Sequence, residues 1–185
     1  MYDQARNPEN PWLTEQAVHF LSQTLRADDV GIEFGSGRST IWFARRLRHL
    51  ISVENNPLWY AQVSDLINKN DLVQKVDYRK CYAQTEYVAQ TQTVDDDSLD
   101  FCLIDGESRD ACALNILPKL RAGALLVVDN VNWYLPHPST VSPDSRRPAD
   151  GCRSEMWAAF SEQIRDWRRY WTSSGVTDTC IWIKP

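Results

Sequence analysis

A short segment containing two glycines holds the residues best suited to bind a small ligand. Glu33 precedes Gly35 by two residues, and Gly37 follows Gly35 after one more residue. Gly35 allows a sharp turn, and Gly37 leaves room for a ligand near the backbone because it has no Cβ atom. Glu54 lies about twenty residues after Gly35, where a carboxylate can accept hydrogen bonds from both hydroxyls of a ribose. The spacing therefore predicts a nucleoside-binding site.

The same segment disfavours a dinucleotide cofactor. That class of site requires Gly-x-Gly-x-x-Gly, and Thr40 occupies the place of the third glycine. The carboxylate of Glu33 would repel a pyrophosphate, but it can accept hydrogen bonds from an ammonium group or from backbone N–H groups of the loop. The residues thus disfavour a nicotinamide dinucleotide and leave open whether Glu33 binds a ligand's ammonium group or holds the loop.

Polar residues also follow two strongly apolar runs. Asp105 comes after the run 99–104, and Asp129 and Asn130 come after the run 123–128. Short runs that are almost entirely apolar are typical of parallel strands covered on both faces. Because parallel strands end at the same rim of a sheet, we expect the side chains of Asp105, Asp129 and Asn130 to converge there.

An alternation of strands and helices positions these groups. The apolar patterns predict five strands, at 30–34, 50–54, 72–81, 99–105 and 123–130. Helices are predicted at 14–25, at 39–48, from Pro57 with Trp59, Tyr60, Val63, Leu66 and Ile67 inside, at 109–120, and over 156–167. Two last strands, 169–172 and 176–183, form a hairpin. This order predicts an α/β three-layer sandwich with its ligand site at the carboxyl ends of the strands.

Composition limits the class of protein. The chain has 185 residues, of which 43% are hydrophobic, so we expect a single domain with an N-terminal arm at 1–13. A net charge of −5 disfavours a nucleic-acid partner. No apolar run approaches the ~20 residues of a membrane span, so we expect a cytoplasmic protein without a membrane partner. Five scattered cysteines lack the spacing of a disulfide framework or a zinc site. The oligomeric state is open.

Together these segments resemble a class I S-adenosylmethionine-dependent methyltransferase over about residues 12–130. Residues 30–40 resemble the first motif of the family, with Ser39 where a third glycine is often found. Residues 52–55 resemble its acidic second motif, and Cys81-Tyr82-Ala83 resembles the segment that contacts adenine. Residues 103–106 and 117–130 resemble the fourth and fifth motifs. The resemblance implies a Rossmann-like, mostly parallel seven-stranded sheet with an antiparallel C-terminal strand.

The resemblance also implies a cofactor, S-adenosylmethionine, and the residues that bind it. The implied cofactor-binding residues are Glu33, Gly35, Ser36, Gly37, Ser39, Thr40, Glu54, Asn55, Tyr82 and Asp105.

The chemistry of the methyl acceptor is suggested by the fourth motif. The Asn-Pro-Pro-Tyr type of motif found in amino-group methyltransferases is absent, and Asp105-Gly106-Glu107-Ser108 stands in its place. The arrangement of Asp105, Asp129 and Asn130 is similar to catechol-type O-methyltransferases, in which such positions hold a magnesium ion. The basic residue that often follows the first Asp in those enzymes is missing, so magnesium is kept only as an alternative and no metal ligand is assigned. Asp129 and Asn130 otherwise fix the following loop by hydrogen bonds.

We therefore predict an S-adenosylmethionine-dependent methyltransferase that acts on a hydroxyl of a small molecule. Asp105, Asp129 and Asn130 are its candidate catalytic residues, and without a metal Asp105 contacts the cofactor or acts as a base. The alternatives are a cofactor-binding module without turnover and, less favoured, an NAD-dependent oxidoreductase. The proline-rich segment 131–153, with Trp133 and Tyr134, either covers the substrate as a lid or packs its aromatic rings on the core.

Overall fold

A computed structural model describes residues 9–185, so residues 1–8 of the predicted N-terminal arm lie outside the described residues. Helices and strands are numbered here in chain order over these residues. The strands are β1 (Val30–Phe34), β2 (His49–Glu54), β3 (Val76–Lys80), β4 (Leu99–Ile104), β5 (Leu120–Asp129), β6 (Arg168–Ser173) and β7 (Asp178–Ile183). The helices are α1 (Glu15–Thr24), α2 (Arg38–Ala44), α3 (Pro57–Lys69), α4 (Gln84–Ala89), α5 (Arg109–Ile116) and α6 (Glu155–Gln163).

The strands form a seven-stranded sheet in the order β3-β2-β1-β4-β5-β7-β6. Strands β1 to β5 are parallel, whereas β7 is antiparallel to both of its neighbours, β5 and β6. The predicted Rossmann-like α/β fold with an antiparallel C-terminal strand is confirmed. Because β2, β1, β4 and β5 are adjacent, their carboxyl ends lie side by side along one edge of the sheet.

Both faces of the sheet are buried, which explains why the central strands are almost entirely apolar. Alternate side chains of a strand point to opposite faces. In β4, Cys102 and Ile104 pack with α4, α5 and α6, whereas Phe101 and Leu103 pack with α1, α2 and α3. The same alternation occurs in β5, so a helical layer covers each face and the sheet lies between two hydrophobic cores.

Several element bounds differ from the sequence predictions. Helices α2, α5 and α6 end at Ala44, Ile116 and Gln163 instead of 48, 120 and 167, and strands β3 and β5 begin at Val76 and Leu120 instead of 72 and 123.

Two helices, α3 and α4, differ in more than their bounds. Helix α3 begins at Pro57 as predicted, with the Asn56 side chain accepting hydrogen bonds from two backbone N–H groups. Trp59 and Leu66, which were predicted to lie inside, are 36% and 39% exposed, because α3 buries only a narrow stripe of its surface against the sheet. Helix α4 was not predicted, because it is short and Tyr87 is its only fully buried residue.

The segment 131–153 is tied to the core. The buried Asn132 accepts a hydrogen bond from the backbone N–H of Asp178 at 3.0 Å. The Ser142 hydroxyl donates to the Asp178 carboxylate at 2.6 Å. Tyr134 stacks on Trp157 with 5.2 Å between the ring centres. Tyr134 thus packs on the core, as in the second of the two alternatives for this segment, whereas Trp133 is 38% exposed.

All five cysteines are unpaired thiols, and four of them are buried. Within residues 9–185, no helix is both long and apolar enough to cross a bilayer.

A buried carboxylate connects the elements that carry the glycine loop. Glu33 lies in β1, and its Oε1 atom accepts hydrogen bonds from the hydroxyls of Thr40 in α2 and Ser52 in β2, the latter at 2.7 Å. The Thr40 oxygen in turn accepts from the backbone N–H of Gly37 at 3.0 Å. Burial raises the pKa of Glu33 to about 7, against the smaller opposing effect of these hydroxyl donors. Glu33 thus joins β1, β2 and α2 at the base of the loop.

Glu33 should make the stability of the fold depend on pH. Its pKa is higher in the folded chain than its ordinary value of 4.5, so its protonation favours folding below that value, and this contribution is lost as the pH rises through about 7. Glu33→Gln keeps the shape without the charge. We expect its unfolding free energy to rise relative to wild type between pH 4.5 and 8, by up to about 3 kcal/mol. Urea unfolding across this range measures the difference.

The matched control is Glu162→Gln, which makes the same chemical change at a side chain that is 68% exposed. The difference in unfolding free energy between this variant and wild type should stay nearly constant from pH 4.5 to 8. If the difference in unfolding free energy between Glu33→Gln and wild type is equally constant, the prediction that burial raises the pKa of Glu33 is wrong.

Candidate functional site

The loops that follow β1 and β4 touch each other through two glycines. Gly35 has a positive φ of 96°, and a Cβ atom there would lie 2.7 Å from the backbone N of Gly106. A Cβ atom on Gly106 would lie 2.1 Å from the Tyr87 hydroxyl. Both distances are too short for any side chain. The two glycines therefore allow the loop that carries Asp105 to pack directly against the glycine loop.

Gly37 differs from Gly35. Its φ of 162° is extended backbone, and a Cβ atom there would make an ordinary contact of 3.6 Å with the Trp59 ring. The protein's own packing therefore does not require glycine at this position. The Trp59 indole N–H donates to the carbonyl oxygen of Ser36 at 2.6 Å, so this half-exposed ring forms a wall of the loop. Trp59 was predicted only as a core residue, and no sequence signal identified it as part of the site.

Glu54 holds two loops in place. One of its carboxylate oxygens accepts from the backbone N–H and the hydroxyl of Ser36, at 3.0 and 2.6 Å. The other accepts from the backbone N–H groups of Asn55 and Asn56, at 2.9 and 2.8 Å. Four donors fill the usual capacity of a carboxylate, and Glu54 is 5% exposed. The Ser36 hydroxyl also lies 2.8 Å from the Tyr78 hydroxyl, which offers it a second partner.

The other predicted cofactor residues lie in different environments. Ser39 and Thr40 are buried at the start of α2, and the Thr40 hydroxyl donates to Glu33. Tyr82 follows β3 and is 55% exposed, with the Lys80 ammonium 5.1 Å from the centre of its ring. The second carboxylate oxygen of Glu33, Oε2, is buried and has no hydrogen-bond partner within residues 9–185.

The three candidate catalytic residues gather at the ends of β4 and β5. The Asp105 carboxylate forms an ion pair of 3.1 Å with Arg109, and the Asn130 side-chain oxygen accepts from the same guanidinium at 3.0 Å. The Asp129 carboxylate is buried and accepts from the Thr179 hydroxyl at 2.6 Å. The Asn130 amide also donates to the Thr177 hydroxyl at 2.6 Å. Asp129 and Asn130 thus bind the adjacent β7 region through their side chains, whereas Asp105 faces Arg109.

The two aspartates affect each other's protonation. Burial raises the pKa of Asp105, and Arg109 opposes that shift. Burial also raises the pKa of Asp129, and the nearby charge of Asp105 adds to the increase. Arg109 and the Thr179 hydroxyl lower it in part. The pair therefore binds protons more readily than two exposed carboxylates do.

A cavity of about 430 Å³ opens at the loop that follows Asp105, and its lining begins at Gly106. Its floor includes the backbone that follows β4, and Tyr134 and Trp157 form an aromatic wall. The guanidinium groups of Arg109 and Arg153 each lie 5.7 Å from the centre of the Tyr134 ring. The lining residues are Gly106, Glu107, Ser108, Arg109, Asp110, Tyr134, Arg153, Ser154 and Trp157. Such a cavity can hold a small polar molecule with a planar part.

The described residues hold no cluster of metal-binding acids. Within residues 9–185, no three His, Cys, Asp or Glu side chains are grouped closely enough to bind a metal ion. Asp105 and Asp129 are two such side chains, and the neighbouring positions contribute Asn130 and Arg109 in place of a third acid.

Solved structures with a similar fold include several methyltransferases. A caffeoyl-CoA O-methyltransferase-like protein of Staphylococcus aureus has a TM-score of 0.67 and 18% identity, over 100% of this chain and 90% of that chain. A methyltransferase from Geobacter sulfurreducens has a TM-score of 0.63 and 15% identity, over 99% of this chain and 86% of that chain. The M. jannaschii protein TYW2, solved in complex with AdoMet, has a TM-score of 0.55 and 12% identity, over 94% of this chain and 77% of that chain. At these identities the similarity establishes the fold.

The sequence itself matches a protein family. No curated protein matches the chain by sequence. A family model described as a methyltransferase domain matches residues 32–131, which is more than half of the chain. The matched region begins just before Glu33 and ends just after Asn130, so it includes the glycine loop, Glu54 and all three candidate catalytic residues. The chain therefore belongs to the methyltransferase domain family.

Proposed function

We propose that this methyltransferase uses S-adenosylmethionine as its methyl donor and methylates a hydroxyl of a small molecule. The observation that carries the proposal is the glycine loop, which is held between two buried carboxylates, Glu33 and Glu54. Family membership supports a methyl-transfer reaction, and this loop supports the nature of the donor.

The residues of the loop fit the chemical groups of S-adenosylmethionine. Glu33 Oε2 is a buried acceptor without a donor in the described chain, and the ammonium group of the cofactor is a donor of the right charge. Gly37 is a glycine that the protein's own packing does not require, which is expected where a ligand lies against the backbone. The exposed ring of Tyr82 can stack on a planar base.

Glu54 would bind the ribose by exchanging one of its donors. Its four hydrogen bonds leave no free acceptor site, so a ribose hydroxyl has to replace an existing donor. The Ser36 hydroxyl is the donor that can leave at least cost, because it can turn to Tyr78, whereas the three backbone N–H groups are fixed by the loops. Binding would then keep Glu54 fully hydrogen-bonded throughout.

The chain's own contribution to methyl transfer would be to position the acceptor and remove its proton. When bound, S-adenosylmethionine supplies an electrophilic methyl group on a positively charged sulfur. The acceptor would occupy the cavity against Tyr134 and Trp157, with its hydroxyl directed to the rim where β4 ends. Asp105 lies at that rim with its side chain 29% exposed, and it would accept the hydroxyl proton as the oxygen attacks the methyl group. The methyl–sulfur bond would break with its electron pair going to sulfur, so that neutral S-adenosylhomocysteine leaves.

Binding of the cofactor can be tested without knowing the acceptor. Titration calorimetry with S-adenosylhomocysteine should give heat with the wild-type protein, and titration with NAD should give none. Glu54→Gln should bind S-adenosylhomocysteine about 10- to 100-fold more weakly, because it loses a hydrogen bond to a charged group. Its unfolding midpoint should be measured alongside, since Glu54 also holds the loops.

The matched control is Glu162→Gln, on the exposed surface of α6, which should bind as the wild type does. A folded wild-type protein that gives no heat with S-adenosylhomocysteine would contradict the proposed cofactor. Heat with NAD alone would support the oxidoreductase alternative instead.

The role of Asp105 can be tested by separating binding from turnover. A screen of hydroxylated aromatic compounds with S-adenosylmethionine carrying a labelled methyl group supplies the acceptor. If Asp105 is the base, Asp105→Asn should lower kcat by about 10²- to 10⁴-fold and leave the affinity for S-adenosylhomocysteine nearly unchanged. If Asp105 contacts the cofactor instead, the affinity itself should fall.

Asp166→Asn is the matched control, because the Asp166 side chain is 92% exposed. It should leave both quantities unchanged. Tight binding of S-adenosylhomocysteine together with no turnover on any acceptor would favour the alternative of a cofactor-binding module.

A further inference from the structure

Arg109 contacts oxygen atoms of Asp105, Asp129 and Asn130, the residues for which the sequence suggested a magnesium ion as an alternative. It is the first residue of α5, and its side chain is 13% exposed. Its Nε donates to the Gly106 carbonyl at 2.8 Å, and its Nη2 donates to the Asp105 carbonyl at 2.6 Å and lies 3.1 Å from the Asp105 carboxylate. Its Nη1 donates to the Asp129 carbonyl at 2.7 Å and to the Asn130 side-chain oxygen at 3.0 Å. One guanidinium thus connects the ends of β4 and β5.

We propose that Arg109 is a resident cation that takes the place of a divalent metal between Asp105, Asp129 and Asn130. Carboxylate, amide and carbonyl oxygens are the ligands that Mg²⁺ prefers. Here oxygens of all three residues are already bound by a planar cation that does not lose its proton in proteins. The residues therefore do not fit a magnesium ion, although the resemblance to catechol-type O-methyltransferases suggests one.

The remaining groups at this position also oppose a metal ion. The Asp129 carboxylate is directed to the Thr179 hydroxyl, and the Asn130 amide nitrogen is held by Thr177. A divalent ion beside the Arg109 guanidinium would face a second positive charge at close range in a largely buried site. It would gain only one partly exposed carboxylate, that of Asp105, in return.

Arg109 would then act as a positioning residue. It holds the Asp105 carboxylate by an ion pair and the Asp105 backbone by a hydrogen bond, so it sets where the carboxylate lies at the end of β4. This consequence for catalysis rests on the proposed function, whereas the exclusion of a metal ion is a property of the folded chain alone. The two can therefore be tested separately.

The exclusion of metal is tested by titrating the full chain with Mn²⁺, a spectroscopic substitute for Mg²⁺, and following free Mn²⁺ by electron paramagnetic resonance. Wild type should bind no Mn²⁺ at this position. Arg109→Ala should gain one site, at least tenfold tighter than any binding by wild type, because it exposes Asp105, Asn130 and the backbone carbonyls. Adding Asp105→Asn to Arg109→Ala should abolish the new site. Arg165→Ala, at a side chain that is 65% exposed, is the matched control and should behave as wild type.

Two results would overturn the proposal. One is Mn²⁺ binding by wild type that Asp105→Asn removes, and the other is a folded Arg109→Ala protein that gains no site. If Arg109→Ala does not fold, Arg109→Met keeps the length of the side chain, and the same titration applies. In addition, 10 mM Mg²⁺ should raise the unfolding midpoint of the Arg109 variants and leave that of wild type unchanged. An equal rise in wild type would also contradict the proposal.

These outcomes do not depend on the cofactor. If S-adenosylhomocysteine gives no heat and Mn²⁺ binds only to the Arg109 variants, the proposed function is contradicted, whereas the proposal that Arg109 replaces a metal ion is supported. If S-adenosylhomocysteine binds and turnover requires a divalent metal that EDTA removes, S-adenosylmethionine is supported as the methyl donor, whereas the proposal that Arg109 replaces a metal ion is contradicted.

Discussion

Four carboxylates end four adjacent strands of the sheet, and the structure has to compensate each of these charges. Glu54, Glu33, Asp105 and Asp129 lie at or near the carboxyl ends of β2, β1, β4 and β5. Three of them are buried, and an uncompensated buried charge would cost several kcal/mol. Each carboxylate has a different partner: backbone N–H groups and a hydroxyl for Glu54, two hydroxyls for Glu33, a guanidinium for Asp105, and the Thr179 hydroxyl for Asp129.

These compensating contacts also build the site. The donors to Glu54 and Glu33 come from the glycine loop and its flanking elements, so the hydrogen bonds that stabilise these carboxylates also shape the loop. Arg109, which neutralises Asp105, also connects the loops after β4 and β5. Within residues 9–185, Arg109 is the only cation that pairs directly with any of these four acids, so the edge of the sheet is negative where they are ionised. Such an edge suits a ligand that carries ammonium and sulfonium charges better than one that carries a pyrophosphate.

Much of the architecture followed from local sequence patterns. The strand at 30–34 was predicted with its exact bounds, and the start of α3 followed from Asn56 and Pro57, because caps and prolines act on their immediate neighbours. The ends of α2, α5 and α6 and the starts of β3 and β5 were misplaced, because an apolar pattern does not mark the residue at which regular backbone hydrogen bonding begins or ends. Trp59 and Leu66 were predicted to be buried because apolar residues at helical spacing favour burial, but the sheet beneath α3 covers only one narrow stripe.

Local sequence patterns were enough to predict the order of the strands along the chain, the burial of the sheet on both faces, and the glycine loop followed by an acidic residue. Each of these depends on residues close together in the chain or on a periodic pattern within one element. The hydrogen-bond partners of Arg109 and Glu54, in contrast, follow from the packing of the strands. Arg109 meets Asp129 and Asn130 because β4 and β5 are neighbours in the sheet, and Glu54 meets Ser36 because β1 and β2 are. Such contacts join residues distant in the chain, and no local pattern specifies which donor reaches which carboxylate.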